Sequence, residues 1–203
     1  MKVLYTLPTV VFGCILLAGC MSFNNGDVPV VNNQSVLIKD QPTIEYRVGK
    51  FDQKFNTESH HRGVKANRAQ NRILTDSLLA HWQYEGLIQD YNYAGNLDKK
   101  PDYIITMSGY RDEEGSIMRS VICDLTFWMM PTSITVIDNL NIELQNTHTD
   151  KVYHTAVKFS ETTWMDIVLL PALPIFWIGN NNAQNEASDY IYSQFKKQGA
   201  FQT

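Results

Sequence analysis

Between Ala66 and Trp82 the apolar residues Ala66, Ala69, Ile73, Leu78 and Trp82 recur every three to five positions. That spacing lays one stripe along a helix. Gly86 stands where a helix ends in a left-handed residue, with Leu87 and Ile88 placed to fold back on the last turn, so the helix is predicted to stop near Glu85. Elsewhere the period is two. Ile44, Tyr46 and Val48 alternate with Glu45 and Arg47, the pattern of a half-buried strand. After Pro101, the run Asp102 to Tyr110 is β-branched and aromatic and reads as another strand, with Asp112-Glu113-Glu114-Gly115 expected to turn the chain. Ile134–Gln145 and Val152–Ser160 keep their apolar residues mostly on one parity and are separated by Asn146-Thr147-His148-Thr149-Asp150-Lys151, which predicts a hairpin. From Asn185 to Lys197, Ala187, Ile191 and Phe195 fall four apart, and Lys196, Lys197 and Gly199 close a second helix.

The order strand, helix, strand, hairpin, helix predicts an α+β domain: a mostly antiparallel sheet of about four strands with two helices packed on one face. No supersecondary unit repeats. The 203 residues, 44% of them hydrophobic, suit one core and leave no room for a second full domain. With 17 Lys+Arg against 21 Asp+Glu and no basic run, nucleic acid is excluded as a natural partner.

The amino end is of another kind. Lys2 precedes the apolar stretch Val3 to Leu17, too short for a bilayer span and followed by the polar Asn24, Asn25 and Asp27, which is the layout of a secretory signal. The stretch ends Leu17-Ala18-Gly19-Cys20, and this run resembles the lipobox of bacterial lipoproteins. The resemblance implies cleavage between Gly19 and Cys20, a diacylglyceryl thioether on Cys20 and an acylated amine, palmitate being typical of such chains. Its partner is then membrane lipid. Met21 follows, rather than the aspartate that resembles an inner-membrane retention signal, which implies the outer membrane, periplasmic face. Residues 1–19 are thus expected to be signal, 20–42 a lipidated cysteine on an Asn-, Gly- and Pro-rich flexible tether with Val36-Leu37-Ile38 as a further candidate edge strand, and 43–203 the domain. In element order the domain resembles the periplasmic α+β domains of the Tol-system propeller protein and the curli-secretion lipoprotein.

Leu125–Ile137 and Ile167–Gly179 carry no charge and are broken by Pro131, Pro171 and Pro174, so neither is a spanning helix. Two fates are open to them. Both segments can pack into the core, or Phe127, Trp128, Met129, Met130, Phe176 and Trp177 can form an exposed patch that meets a partner or the bilayer interface.

Catalytic chemistry is not legible. His60-His61 are adjacent and rarely reach one ion, so no metal site is expected; His148 and His154 flank the hairpin turn and can face one another across it. Asp112-Glu113-Glu114 reads as a solvated turn. Cys14 lies in the signal, and Cys123, among Val121, Ile122 and Leu125, reads as a buried inert thiol. No phosphate loop, dinucleotide fingerprint or nucleophile elbow is present, and no cofactor is expected. The reading is a non-catalytic interaction or structural module of the cell envelope that binds another envelope protein or itself. The alternatives are an accessory subunit of an envelope transport or secretion assembly whose apolar segments contact the membrane, and a small envelope-remodelling hydrolase with a nonlocal site.

Overall fold

The computed structural model describes residues 20–31, 41–57, 60–95, 100–115, 121, 122, 125, 132–165 and 183–201. Among these residues, seven strands and two long helices make an α+β fold. The elements are β1 (Cys20–Asn24), β2 (Thr43–Thr57), β3 (His60–Ala66), α1 (Arg68–Tyr84), β4 (Asp90–Tyr93), β5 (Tyr103–Gly115), β6 (Thr132–Asn146), β7 (Val152–Met165) and α2 (Ala183–Lys197). One sheet runs in the order β1-β7-β6-β5-β2-β3, with β4 pairing β2 beside its first residues. It is mixed: β2 runs parallel to both β4 and β5, and the other pairs are antiparallel.

Alternation decides the core. Ile44, Tyr46 and Phe51 of β2, Ile105 and Met107 of β5, Leu140, Ile142 and Leu144 of β6 and Tyr153, Val157 and Phe159 of β7 are all buried. The register aligns them in rows, Ile105 with Leu144 and Tyr153, Met107 with Ile142, so one face of the sheet is apolar. Both helices lie on that face and touch each other: Trp82 Nε1 donates to the Ser188 carbonyl at 3.0 Å, and Ser188 Oγ to the Leu78 carbonyl at 3.1 Å. Trp82, Tyr192, Phe201 and Tyr103 form an aromatic chain with centroids about 5 Å apart, in which Tyr192 and Phe201 stack at 4.8 Å.

Both helices stop as the glycines require. Gly86 has φ +68°, Leu87 N donates to the Trp82 carbonyl at 2.8 Å, and Leu87 and Ile88 are buried; Gly199 at φ +88° and Ala200 N to Phe195 O at 2.9 Å repeat the motif. In α1 the buried stripe is Asn71, Leu74, Thr75, Leu78, Leu79 and Trp82. Ile73, expected on the apolar side, is 59% exposed. A polar residue set the phase: Asn71 Nδ2 bridges the carbonyls of Gly49 at 3.1 Å and Met107 at 2.9 Å, which fixes that face of the helix against the sheet.

Strand pairing corrects two expectations and adds a strand that the pattern did not show. Asp112–Gly115 is no turn: it continues β5 to Gly115 in register with Ile134–Ile137. His60–Ala66 is a strand against β2, a partner far stronger than any local signal in that polar run. Residues of the expected tether are tied down: Cys20–Asn24 pair with Glu161–Met165, and Val28 is 5% exposed. The count of about four strands therefore rises to seven. Val36-Leu37-Ile38 and the segments 126–131 and 166–182 lie outside the described residues.

The helices cover only part of this sheet. At about 3.3 Å per residue β2 extends roughly 50 Å, whereas α1 is about 25 Å long. The helix C-termini sit with the β6–β7 turn at what we call the near end, where Tyr153 Oη donates to the Gly199 carbonyl at 3.3 Å. The far end gathers Thr57, His60, Gly115, Thr132, Met165 and Cys20.

Candidate functional site

At the far end Cys20 is the first residue of an edge strand, with Met165 as its Cα partner, and Met165 in turn faces Thr132 in β6. The residues after it are held by side chains. Asn24 Nδ2 donates to the Glu186 carboxylate in the first turn of α2, and Asn25 Nδ2 donates to Ser160 Oγ at 2.8 Å. Asn25 N donates to the Ser160 carbonyl at 3.2 Å, and Ser160 Oγ to Asp27. Gly26, at φ +72° with open space around it, lets the chain turn off the sheet so that Val28 can bury.

Where the helices end, the apolar face becomes polar. Arg111 Nε and Nη2 reach Asp138 Oδ1 and Oδ2 at 2.8 and 2.7 Å, a bidentate pair with the aspartate side chain 3% exposed. Gln53 donates through Nε2 to Glu113 Oε1 at 2.6 Å and accepts at Oε1 from Asn67 Nδ2 at 2.8 Å, so the residue that caps α1 also ties into the sheet. Thr132 is 3% exposed, and its hydroxyl has no hydrogen-bond partner among the described residues. On the opposite face Trp164 is 42% exposed, one residue from Met165 and opposite Ser133.

The near end holds a second polar knot. Asp102 accepts from Thr43 N and Thr43 Oγ1, both at 2.8 Å, and from His148 Nε2 at 3.0 Å. Burial pushes the Asp102 carboxyl up, but the Thr43 backbone N–H, the His148 ring and the Thr43 hydroxyl outweigh it and hold its pKa below the ordinary 3.8. The threonine hydroxyl donates to the acid rather than to the imidazole, so this is a latch between β2, β5 and the hairpin turn, not a nucleophile held by a base. His154 lies 3.8 Å from Glu143 on the facing strand while His148 turns to Asp102, so the carboxylate beside each ring is a different one.

Other ionisable groups are structural too. His81 Nε2 meets Asp189 Oδ1 at 3.2 Å and links the two helices. Burial, and then the neighbouring Tyr103, push the Tyr192 phenol up to about 12, which keeps it neutral inside the aromatic chain. The cleft between α1, α2 and the sheet, lined by Leu74, Leu140, Phe159 and Ile191, has room for no more than a water. Among the described residues no three of His, Cys, Asp and Glu group as metal ligands, and no helix is long and apolar enough to cross a membrane.

Of the residues picked from sequence, Cys20 is placed at the far end; His60 and His61 begin β3 there; Gly19, Phe127, Trp128, Met129, Met130, Phe176, Trp177 and Cys123 fall outside the described residues. Sequence reading missed Trp164, Asp102 and the Arg111–Asp138 pair. Trp164 had a signal in the even parity of β7, opposite to Tyr153, Val157 and Phe159; the charge pair, formed across strands, had none.

Among the described residues the fold thus defines an α+β protein with a long mixed sheet, two helices on one face and Cys20 on an edge strand. No family model and no curated protein matches the sequence. Among solved structures it is similar to the DUF330 protein of Xanthomonas campestris, at 12% identity over 87% of this chain and 96% of that one, TM-score 0.45. It is also similar to a putative neuraminyllactose-binding hemagglutinin homolog of Helicobacter pylori, at 9% identity over 85% and 89%, TM-score 0.34. A third is PelC of Paraburkholderia phytofirmans, solved as a dodecamer, at 12% identity over 91% and 100%, TM-score 0.27.

Proposed function

We propose that the chain is a lipoprotein of the outer membrane, anchored on the periplasmic face through acylated Cys20, whose domain serves without catalysis as an interaction or structural module of the envelope. The observation that carries this reading is Leu17-Ala18-Gly19-Cys20 at the end of an apolar stretch that opens with Lys2. The position of Cys20 supports it, because the first residue of the processed chain is also the first residue of an edge strand. Acyl chains confine the domain to a surface, which raises its effective concentration for any partner held there. The polar pairs of the domain support the non-catalytic part: each is turned to a structural neighbour. The contact residues proposed for the partner or the membrane are Phe127, Trp128, Met129, Met130, Phe176 and Trp177.

The test is crosslinking in intact cells, purification from native membranes in detergent, and mass measurement of the amino-terminal peptide. An acylated Cys20 peptide with a reproducible envelope partner is the expected result. An unmodified amino end produced by another cleavage overturns the anchor. Acylation with turnover of an envelope polymer by the purified protein overturns the non-catalytic role.

A further inference from the structure

We propose that the far end of the sheet lies directly against the bilayer, with Trp164 in the lipid interface and no tether between membrane and domain. The inference rests on the lipoprotein reading above and deepens it by naming the surface that the lipid meets. Under that reading Cys20 is the first residue of the processed chain, and in the fold it is also the first residue of β1, its Cα paired with Met165. A thioether-linked glycerolipid places its acyl chains in the hydrocarbon, so the Cα of its cysteine stays within about one side-chain length of the headgroup boundary. Antiparallel partners lie only about 5 Å apart, which brings the last residues of β7 to the same depth.

The anchor cannot swing the domain away while β1 remains in place. Five residues pair with β7, and then Asn24, Asn25 and Asp27 bond to Glu186 and Ser160, and Val28 is buried. Peeling this segment off would uncover the edge of β7 and lose the burial of Val28.

What the far end shows agrees with a lipid surface. Trp164 is 42% exposed although it stands in the middle of a row from β6 to β1, with Ser133 on one side and Met21 on the other. An indole, apolar in body with one N–H, suits the headgroup region. Leu125 at 74% and Val121 at 48% exposure fall in the connection that leaves the sheet at Gly115 and re-enters at Thr132, both at this end. The near end carries instead the polar turn His148-Thr149-Asp150-Lys151.

The experiment uses the full chain in native membranes, with a benzophenone-bearing residue placed at Trp164, at Ser133 beside it, or at Thr149 in the near turn, and the Cys20 peptide weighed in each sample. Illumination should give phospholipid adducts at Trp164 and Ser133 that exceed those at Thr149 by about tenfold or more, since Thr149 lies roughly 45 Å away along β7. The Ser133 variant guards against a misfolded Trp164 variant. With Cys20 acylated, equal adducts at both ends, adducts at Thr149 alone, or a protein adduct in place of lipid at both far-end positions overturns the orientation and leaves the anchor standing. An unacylated Cys20 overturns the anchor itself, and the inference with it.

Discussion

Two charges removed from water are stabilising only if their geometry is good. Arg111 and Asp138 are cross-strand partners whose planar groups meet in two parallel hydrogen bonds, and the aspartate side chain is 3% exposed. Arg111→Met leaves that carboxylate buried and alone, and should cost about 3–5 kcal/mol. Arg111→Met with Asp138→Leu should recover most of it, because the pair sits where the apolar face of the sheet begins to fail and a hydrophobic pair would extend it. Urea denaturation of the three proteins checks this; a single variant within about 0.5 kcal/mol of the parent would mean that water reaches the pair. Asp102 behaves differently. Its pKa is lowered in the folded chain, so the stability it contributes is present above the unfolded value of 3.8 and is lost as pH falls through the lower folded value. Asp102→Asn should therefore be less stable than the parent at neutral pH, with the gap closing in acid. Thermal melts as a function of pH will show the two curves converging, or running parallel if the latch is idle.

At the scale of elements, two glycines of positive φ differ in the space around them. A Cβ on Gly109 would lie 2.1 Å from the Asn139 carbonyl oxygen of the neighbouring strand, so Gly109→Ala must push β5 and β6 apart. At Gly86 the nearest atom is 3.6 Å away and only the φ of +68° opposes a side chain. Gly86→Ala should cost about 1 kcal/mol, in the range for left-handed backbone, and Gly109→Ala about 2–3 kcal/mol or more, in the range for overpacking. Chemical denaturation orders them; equal losses would contradict the clash. Both helices and the turn-proximal part of the hairpin were legible because most of their apolar residues keep one period and glycine closes each helix, although Ile73 gave the wrong phase for α1. β1, β3 and the outer halves of β2, β5 and β7 were not. There the chain has left the cover of the helices, and Gln53, Arg111, Glu113, Thr135 and Thr162 occupy both faces, so alternation of hydrophobicity vanishes while the ladder of backbone hydrogen bonds continues. The acidic run Asp112-Glu113-Glu114 reads as a turn for the same reason, although neighbours on both sides hold it extended.

For the whole molecule, the amino-terminal stretch decides, under the proposed anchor, how the domain is presented. The resemblance to a lipobox is local, carried by Leu17 to Cys20, but nothing in Cys20–Asn24 signals a strand, since its partner among the described residues is more than a hundred residues away in β7. A chain with Cys20→Ser, which carries no lipid, should keep the thermal midpoint of the parent in detergent if the anchor only positions the domain. A chain that lacks residues 20–31 tests something else. It loses the pairing with Glu161–Met165, the bonds of Asn24, Asn25 and Asp27, and the burial of Val28. Burial of one valine is worth about 1.5–2 kcal/mol, and the cross-strand pairs add a few tenths each. A loss of about 2–3 kcal/mol then lowers Tm by roughly 4–12 °C for a domain of this size. The bare edge of β7, with Trp164 beside it, should also promote association of the truncated chain. Scanning calorimetry with light scattering measures both at once. A free tether would leave the midpoint and the scattering unchanged on deletion, so a drop in Tm with growth of aggregates identifies residues 20–31 as part of the folded body.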